Sequence, residues 1–477
     1  MRASTVGFLV VALLGLGPTL AVAAEDAAIY RALAHDIFKE LIEINTTDTP
    51  RGNVTTAALA MQKRLLDAGF AKGDVVVAGP ADRKQNVVVR LHGTGEHRPL
   101  LLIGHLDVVE ARREDWTTDP FKFVEKDGYF YGRGTEDMKS GDAIMLTTMI
   151  RLKRQNAHLD RDLILALTAD EEGGAYNGVD WLVRNRRSLI DAQYVLNHDD
   201  TAVMESNGKP LYFQVAVTEK TYADYQLTVS NKGGHSSLPV PDNAIYALTD
   251  AVSRIGRYQF PLELNDVTRA YYQGLSTIES GQRAADMRSI VQATPDPKAA
   301  ARLSQEAEDN AQLHTTCVAT RLEAGHANNA LPQEARAVVN CRILPGHSPE
   351  EVRQQLGRIV ADSRIAVRFI DNDGKLLEQA PTTRSHAPPP LSPELFDPLR
   401  RLVASTWPNL KVLPTMMVGA SDGIITMEAG MPTFMIAPIP RDRRDSRAHG
   451  RDERLSIEGF YAGNEFFYRY IRTLTTH

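Results

Sequence analysis

Imidazole and carboxylate side chains recur in five short motifs spread from one end of the chain to the other. They are His105 in Gly104-His105-Leu106-Asp107, Asp137 in Gly132-Arg133-Gly134-Thr135-Glu136-Asp137, Glu171-Glu172 in Asp170-Glu171-Glu172-Gly173-Gly174, Asp199 in Asn197-His198-Asp199-Asp200, and His449 in Ala448-His449-Gly450. Such ligands suit Zn²⁺, and a bridging carboxylate holds two ions about 3.5–4 Å apart. If the motifs act together, the C-terminal part of the chain must fold back onto a site opened by His105. That requirement restricts the topology more than any local pattern does.

The chain has 477 residues, too many for one ordinary core, so two domains are expected. A net charge of -6 gives no reason to expect nucleic acid or an anionic membrane as a partner. Residues 1–24 stand apart: Met1-Arg2 is a short positive start, Val6 to Val22 is nearly unbroken apolar sequence, and Ala21-Val22-Ala23 has the small-x-small form of a cleavage site. They read as a bacterial-type secretory signal cut near Ala23 or Ala24, giving a periplasmic or secreted protein with no membrane attachment after cleavage. An uncleaved anchor is the other reading.

Beyond the leader, Asp26 to Ile44 and Val54 to Ala68 carry helical apolar spacing. Apolar runs at Asn86 to Leu91, Leu100 to Ile103, Leu163 to Thr168 and Tyr194 to Leu196 then alternate with helical stretches at Asp142 to Gln155 and Val179 to Asn185. This predicts an α/β catalytic domain whose mostly parallel central sheet is flanked by helices. Ligands collect at the carboxyl ends of strands in such sheets, which is where His105, Glu171-Glu172 and Asp199 fall. From about Leu211 the texture changes to alternating strands, a helix at Asn243 to Ile255 and a polar helical insertion over Asp266 to Ala311. A smaller inserted α+β domain over residues 211–380 is expected, with the catalytic domain built from 25–210 and 381–477. The runs Thr315 to Leu322 and Ala335 to Leu344 flank a turn at Asn328-Asn329. Paired as a hairpin they set Cys317 opposite Cys341, which supports a cross-strand disulfide over two adjacent free thiols.

At a strand end, His105 and Asp107 project to the same side, so Asp107 can orient a metal-binding His105. Taken alone, a structural histidine is the commoner explanation. Asp137 precedes a helix and reads either as a bridging carboxylate or as an N-cap, with Glu136 the alternative if the register is off by one. Two adjacent carboxylates beside a core repel unless a cation lies between them. Glu171 and Glu172 therefore read as a general base and a ligand, or more simply as an acidic turn.

Together these stretches, with Lys232-Gly233-Gly234-His235-Ser236-Ser237, Asn329-Ala330-Leu331-Pro332, Arg342-Ile343-Leu344-Pro345 and Gly419-Ala420-Ser421-Asp422, resemble the M20 family of zinc aminoacylases and carboxypeptidases. The resemblance covers nearly all of the mature chain. It implies one zinc on His105, Asp137 and Asp199 and a second on Asp137, Glu172 and His449, with Co or Mn as substitutes. It makes Asp107 a support of the ligands and Glu171 the general base. His235 would reach a neighbouring subunit's site and polarise the scissile carbonyl, and Asn329 and Arg342 would bind the substrate carboxylate or the oxyanion. The 27-residue step from Glu172 favours Asp199, leaving Asp200 as the alternative and His198 as bystander or extra ligand.

The implied enzyme is an exported carboxypeptidase or dipeptidase-like hydrolase acting on a small peptide or N-acyl amino acid with a free carboxylate, and a homodimer through the lid domain. The rival readings are a narrow deacylase of the acetylornithine deacetylase kind and a catalytically inactive envelope binding protein.

Overall fold

The computed structural model describes residues 17–199, 203–372, 374–383, 388–442 and 445–476, with backbone alone for 17–26. The expected leader lies outside the described residues as far as position 16, and its remainder falls in a helix over Gly17–Glu43. Among the described residues no helix is long and apolar enough to cross a membrane.

Ten strands form the large sheet. At its centre Arg161–Thr168, His97–His105, Tyr194–Asn197 and Thr433–Met435 run parallel to one another, while Val75–Ala81 and Lys84–Leu91 add an antiparallel edge. The continuous apolar run Leu163 to Leu167 is what a strand covered on both faces requires. Successive side chains alternate between the two faces. Leu100 and Leu102 join Phe38, Ile144, Met149 and Phe467 in one core, and Leu101 and Ile103 join Leu182, Ile190 and Met431 in the other. The helices Gly17–Glu43, Lys139–Arg154 and Ile457–Thr475 cover the first face, so the last helix of the chain packs beside the first. Replacing one of these fully buried leucines by alanine costs about 2–5 kcal/mol.

The smaller sheet is antiparallel, in the order Thr316–Ala324, Glu334–Ile343, Thr221–Ser230, Ala366–Ile370, Leu376–Leu377. Its inward residues Tyr225, Leu227, Val339 and Ile343 pack under the helices Ala244–Arg257 and Pro349–Val360 in a separate core. Cys317 and Cys341 are register partners and form a disulfide, with Cα atoms 4.1 Å apart.

Strand Lys209–Glu219 belongs to the large sheet, and Thr221 opens the small one, so Lys220 alone separates them. Its buried ammonium donates to the carbonyls of Ala311 (2.8 Å) and His314 (2.7 Å). The polar stretch after Asn265 forms four short helices, Asp266–Leu275, Gly281–Ile290, Pro297–Leu303 and Ala307–Leu313. They bury Tyr272, Met287 and Leu303 against Met204, Tyr212 and Leu413, residues of the large-sheet strands.

Candidate metal centre

The carboxyl ends of the central strands bring the five motifs together. His105 closes its strand at 2% exposure, and the amide of the next residue, Leu106, donates to the Thr168 carbonyl (2.8 Å). Its Nδ1 bonds the Asp107 carbonyl oxygen (3.0 Å), which turns Nε2 toward Asp137 Oδ1 (3.1 Å). The other oxygen of Asp137 lies 3.1 Å from His449 Nε2, and Glu172 reaches the same nitrogen at 2.9 Å. Two groups result, His105–Asp137–Asp199 and Asp137–Glu172–His449, each offering ligand atoms within 4.8 Å of one another. They share Asp137, whose two oxygens face opposite groups.

The electrostatics fit a bound cation. Burial raises Asp137, but the hydrogen bonds of His105 and His449 outweigh it and hold its carboxyl far below the usual range. Burial opposes charge on His105, yet its bond to Asp137 and the negative charges of Glu171 and Asp107 carry it well above an ordinary imidazole. His449 is raised to about 10 by its bonds to Asp137 and Glu172. Glu171 is pushed well above a normal carboxyl, first by burial and then by the repulsion of Asp199, Asp422 and Glu172. In this site, protons on imidazoles and carboxylates offset a surplus of buried negative charge. A divalent cation offsets the same charge while releasing those protons.

Sequence similarity bears on which enzymes use this arrangement. The sequence model of peptidase family M20/M25/M40 matches residues 101–473. The chain belongs to that family. A probable carboxypeptidase S-like 2 of Dictyostelium discoideum is 28% identical over 383 residues, spanning 79% of this chain and 71% of that protein. An N-fatty-acyl-amino acid synthase/hydrolase PM20D1 of Xenopus tropicalis is 27% identical over 388 residues, spanning 79% and 73%. In fold, the M20 family metallo-carboxypeptidase Sso-CP2 from Sulfolobus solfataricus matches with a TM-score of 0.69 at 16% identity, covering 92% of this chain and 99% of that one. The protein is thus an M20 metallopeptidase/amidohydrolase, a class that hydrolyses the amide bonds of peptides or N-acyl amino acids.

Several residues of the M20 site hold others in place. Asp107 accepts the backbone N–H of Glu171 (3.2 Å) and of Glu172 (3.0 Å), one on each oxygen, which sends the two glutamate side chains off a common support. Glu171 is a member of neither ligand group, and its carboxylate lies 4.0 Å from His105 Nε2. Lys84 pairs with the buried Asp170, and Asn86 accepts the Ala169 amide (3.0 Å). Asp422, raised to about 6 chiefly by burial, accepts from Asn177 (2.7 Å) and Thr168 (3.2 Å), which ties the family loop at 419–422 to the turn carrying Glu171.

His198 packs its ring against Phe467, where burial lowers it to about 4, and it belongs to neither group. Asp200 lies outside the described residues. Glu136 accepts the amides of Arg447 and Ala448 (3.0 Å each) and belongs to neither ligand group, whereas Asp137 belongs to both.

His235, Asn329 and Arg342 stand elsewhere. His235 pairs with Ala330 in a two-stranded ladder, the Ser236 amide donates to the Asn329 carbonyl (3.1 Å), and the His235 Nδ1 bonds Ser237 Oγ (2.7 Å). Arg342 lays its guanidinium over the Tyr222 ring, 4.8 Å from its centre. The segments carrying His235 and Asn329 therefore pair with each other, and among the described residues these bonds stay apart from both ligand groups.

Two charged residues escaped the sequence reading. Glu453, fully buried, and Arg133, 2% exposed, join the Asp137 loop to the His449 loop. Glu453 sits in the charge-rich run 441–454, which reads as solvated surface. Only its place four residues after His449 marks it.

Proposed function

We propose that this M20 enzyme is an exported two-zinc hydrolase that cleaves the amide bond of peptides or N-acyl amino acids bearing a free carboxylate. The observation that carries the reading is Asp137, with one oxygen toward His105 and the other toward His449, and with Glu171 beside the pair but outside both groups. His105, Asp137 and Asp199 would hold one ion, and Asp137, Glu172 and His449 the other. Bound there, a metal pair supplies an acidified water and polarises the scissile carbonyl.

Glu171 takes a proton from the attacking water and hands it to the leaving amine nitrogen, so one amide and one water become one carboxylic acid and one amine. Its buried, repelled carboxyl suits a group that must hold a proton between those two steps. Asp107 fixes the backbone from which Glu171 and Glu172 diverge. Asn329 and Arg342 receive the substrate carboxylate or the oxyanion, and His235 donates to the scissile carbonyl.

Because the bonds of His235 among the described residues stay within the small-domain turn, a homodimer that offers it to the neighbouring site is part of the proposal. The outward side chains of the edge strand Thr316–Ala324 leave that strand open for pairing. Export is supported by the leader sequence and by the Cys317–Cys341 bond, which persists in oxidising compartments.

The test is a screen of dipeptides and N-acyl amino acids with varied C-terminal residues and acyl groups, together with metal analysis. Chelation should abolish hydrolysis and Zn²⁺ restore it. Glu171→Ala should lose at least about 10²–10⁴-fold in kcat with its zinc retained. Full turnover in that variant would refute the base assignment, and inertness of the loaded protein toward every member of the panel would refute the hydrolase reading.

A further inference from the structure

The ligand group Asp137–Glu172–His449 joins loops from opposite ends of the chain, and His449 is its least secured member. Its imidazole is about half exposed (52%), and its backbone adopts φ 62°, a left-handed conformation that a residue with a Cβ does not favour. Something other than packing must hold this loop against Asp137.

Three buried charged side chains do so in a reciprocal pattern. Arg133 donates one guanidinium nitrogen to Glu453 (2.6 Å) and the other to the carbonyls of His449 (3.3 Å) and Gly450 (3.1 Å), across 316 residues of sequence. Glu453 accepts the amides of Gly134 (3.2 Å), Glu136 (2.7 Å) and Asp137 (3.2 Å), so the C-terminal segment also sets the backbone of the shared carboxylate. Glu136 returns the favour by accepting the amides of Arg447 and Ala448 just before His449. The guanidinium of Arg133 also lies over the Trp116 ring, 5.1 Å from its centre, which fixes its plane. Each loop is thereby held by a charged group from the other, and only a planar fork can serve Glu453 and two carbonyls at once.

We propose that Arg133, Glu136 and Glu453 are positioning residues that set the distance between Asp137 and His449 and so build the second ligand group, while His105 and Asp199, the other members of the first group, are set by the strand ends. The proposal rests on the two-metal reading above. It gives the charged residues of the Gly-Arg-Gly-Thr-Glu-Asp run a purpose that neither ligation nor helix capping supplies.

The experiment uses the full chain, stripped with a chelator and titrated with Zn²⁺ against a chromophoric competitor. Zinc per chain is read by elemental analysis, and the unfolding midpoint of the stripped protein serves as the measure of structural damage. Wild type should take two ions. Arg133→Lys keeps one charge but cannot span three acceptors, and Glu136→Gln removes the carboxylate charge and turns one of the two oxygens that face the 447 and 448 amides into an NH₂ donor. Each should hold one ion at wild-type affinity and the other about 10–100-fold more weakly, matching the stoichiometry of His449→Ala, with the stripped-protein midpoint near wild type. Glu453→Gln is a third variant of the same set.

Two ions at wild-type affinity in both Arg133→Lys and Glu136→Gln would overturn the inference, as would equal weakening of both ions together with a lowered midpoint. Failure of the wild type to bind two ions would instead sink the metal reading beneath it.

Discussion

Asp107 shows how much of this site is decided by a single side chain that need not touch a metal. Both of its oxygens are engaged by the amides of consecutive glutamates, and its exposure is only 2%. Asp107→Asn keeps the shape but turns an NH₂ group toward one of those amides, leaving a buried donor facing a donor. We expect kcat to fall by about 10–100-fold with KM little changed, measured on whichever substrate the screen identifies. An unchanged kcat would show that the glutamate backbone is held by other contacts.

The strand-end residues His105, Glu171, Glu172 and Asp199 were legible in the sequence because an apolar run announces its own end, and the residues that follow it face the same crevice. The partnerships among Arg133, Glu136 and Glu453 were not. A charged side chain buried by a segment several hundred residues away looks, in sequence, like one facing solvent.

At the scale of elements, the hairpin of Thr316–Ala324 with Glu334–Ile343 was readable from two alternating runs around a turn, and its register places the cysteines opposite each other. The bond closes a loop with a sequence separation of 24, for which chain entropy gives about 3 kcal/mol. Replacing both cysteines by alanine should therefore lower the stability of the small domain by about 2–4 kcal/mol, seen as an earlier denaturant midpoint. A shift within error would mean that the bond strains the folded hairpin as much as it restricts the unfolded one.

The neighbouring helix Pro349–Val360 is set by a capping box between Ser348 and Glu351. Beside it, Glu350 accepts a two-pronged bond from Arg353 (2.8 and 2.7 Å) and the Ala380 amide (2.8 Å). The Arg353 bond, aided by the Ala380 amide, lowers Glu350 to about 2 from 4.5. Its folded pKa lies below its unfolded one, so its contribution is complete above pH 4.5 and is lost as pH falls toward 2. After allowance for solvent screening this amounts to about 2 kcal/mol. Glu350→Gln should be less stable than wild type at pH 6 and should close that gap by pH 2–3 in denaturant titrations. A gap that stays constant with pH would assign the effect to packing.

What the elements concealed was allegiance. Strand Lys209–Glu219 and Thr221–Ser230 follow each other with one residue between, yet they lie in different sheets: Val215 to Val217 is a continuous buried run covered on both faces, whereas Thr221–Ser230 alternates as a half-buried strand does.

Over the whole molecule, the small sheet has a core of its own, and at its N-terminal entry a single residue, Lys220, separates it from a strand of the large sheet. The core of the small sheet draws on residues 223–380, while the cores of the large sheet draw on both ends of the chain, and the four-helix stretch after Asn265 attaches to the large sheet. Every member of the two ligand groups lies on the large-sheet side. Cation binding therefore ties the N-terminal and C-terminal halves of one unit together and leaves the other untouched. Binding to the folded state alone stabilises by RT ln(1 + [L]/Kd), about 4 kcal/mol at a thousandfold excess over Kd.

Calorimetry of the full chain should accordingly show two transitions with separate responses. Excess Zn²⁺ should raise one and chelator lower it, with a phosphine reductant, which carries no thiolate to compete for zinc, having no effect on that transition. The reductant should lower the other through Cys317–Cys341, and metal should not move it. Coupling between them would run through Lys220, whose ammonium donates to the carbonyls of Ala311 and His314 and to Thr316 Oγ1 (3.4 Å), and so joins the large-sheet insertion to the first residue of the small sheet's edge strand. If the two transitions merge and respond together to both reagents, that junction transmits stability across the domains. Lys220→Met should then split them again.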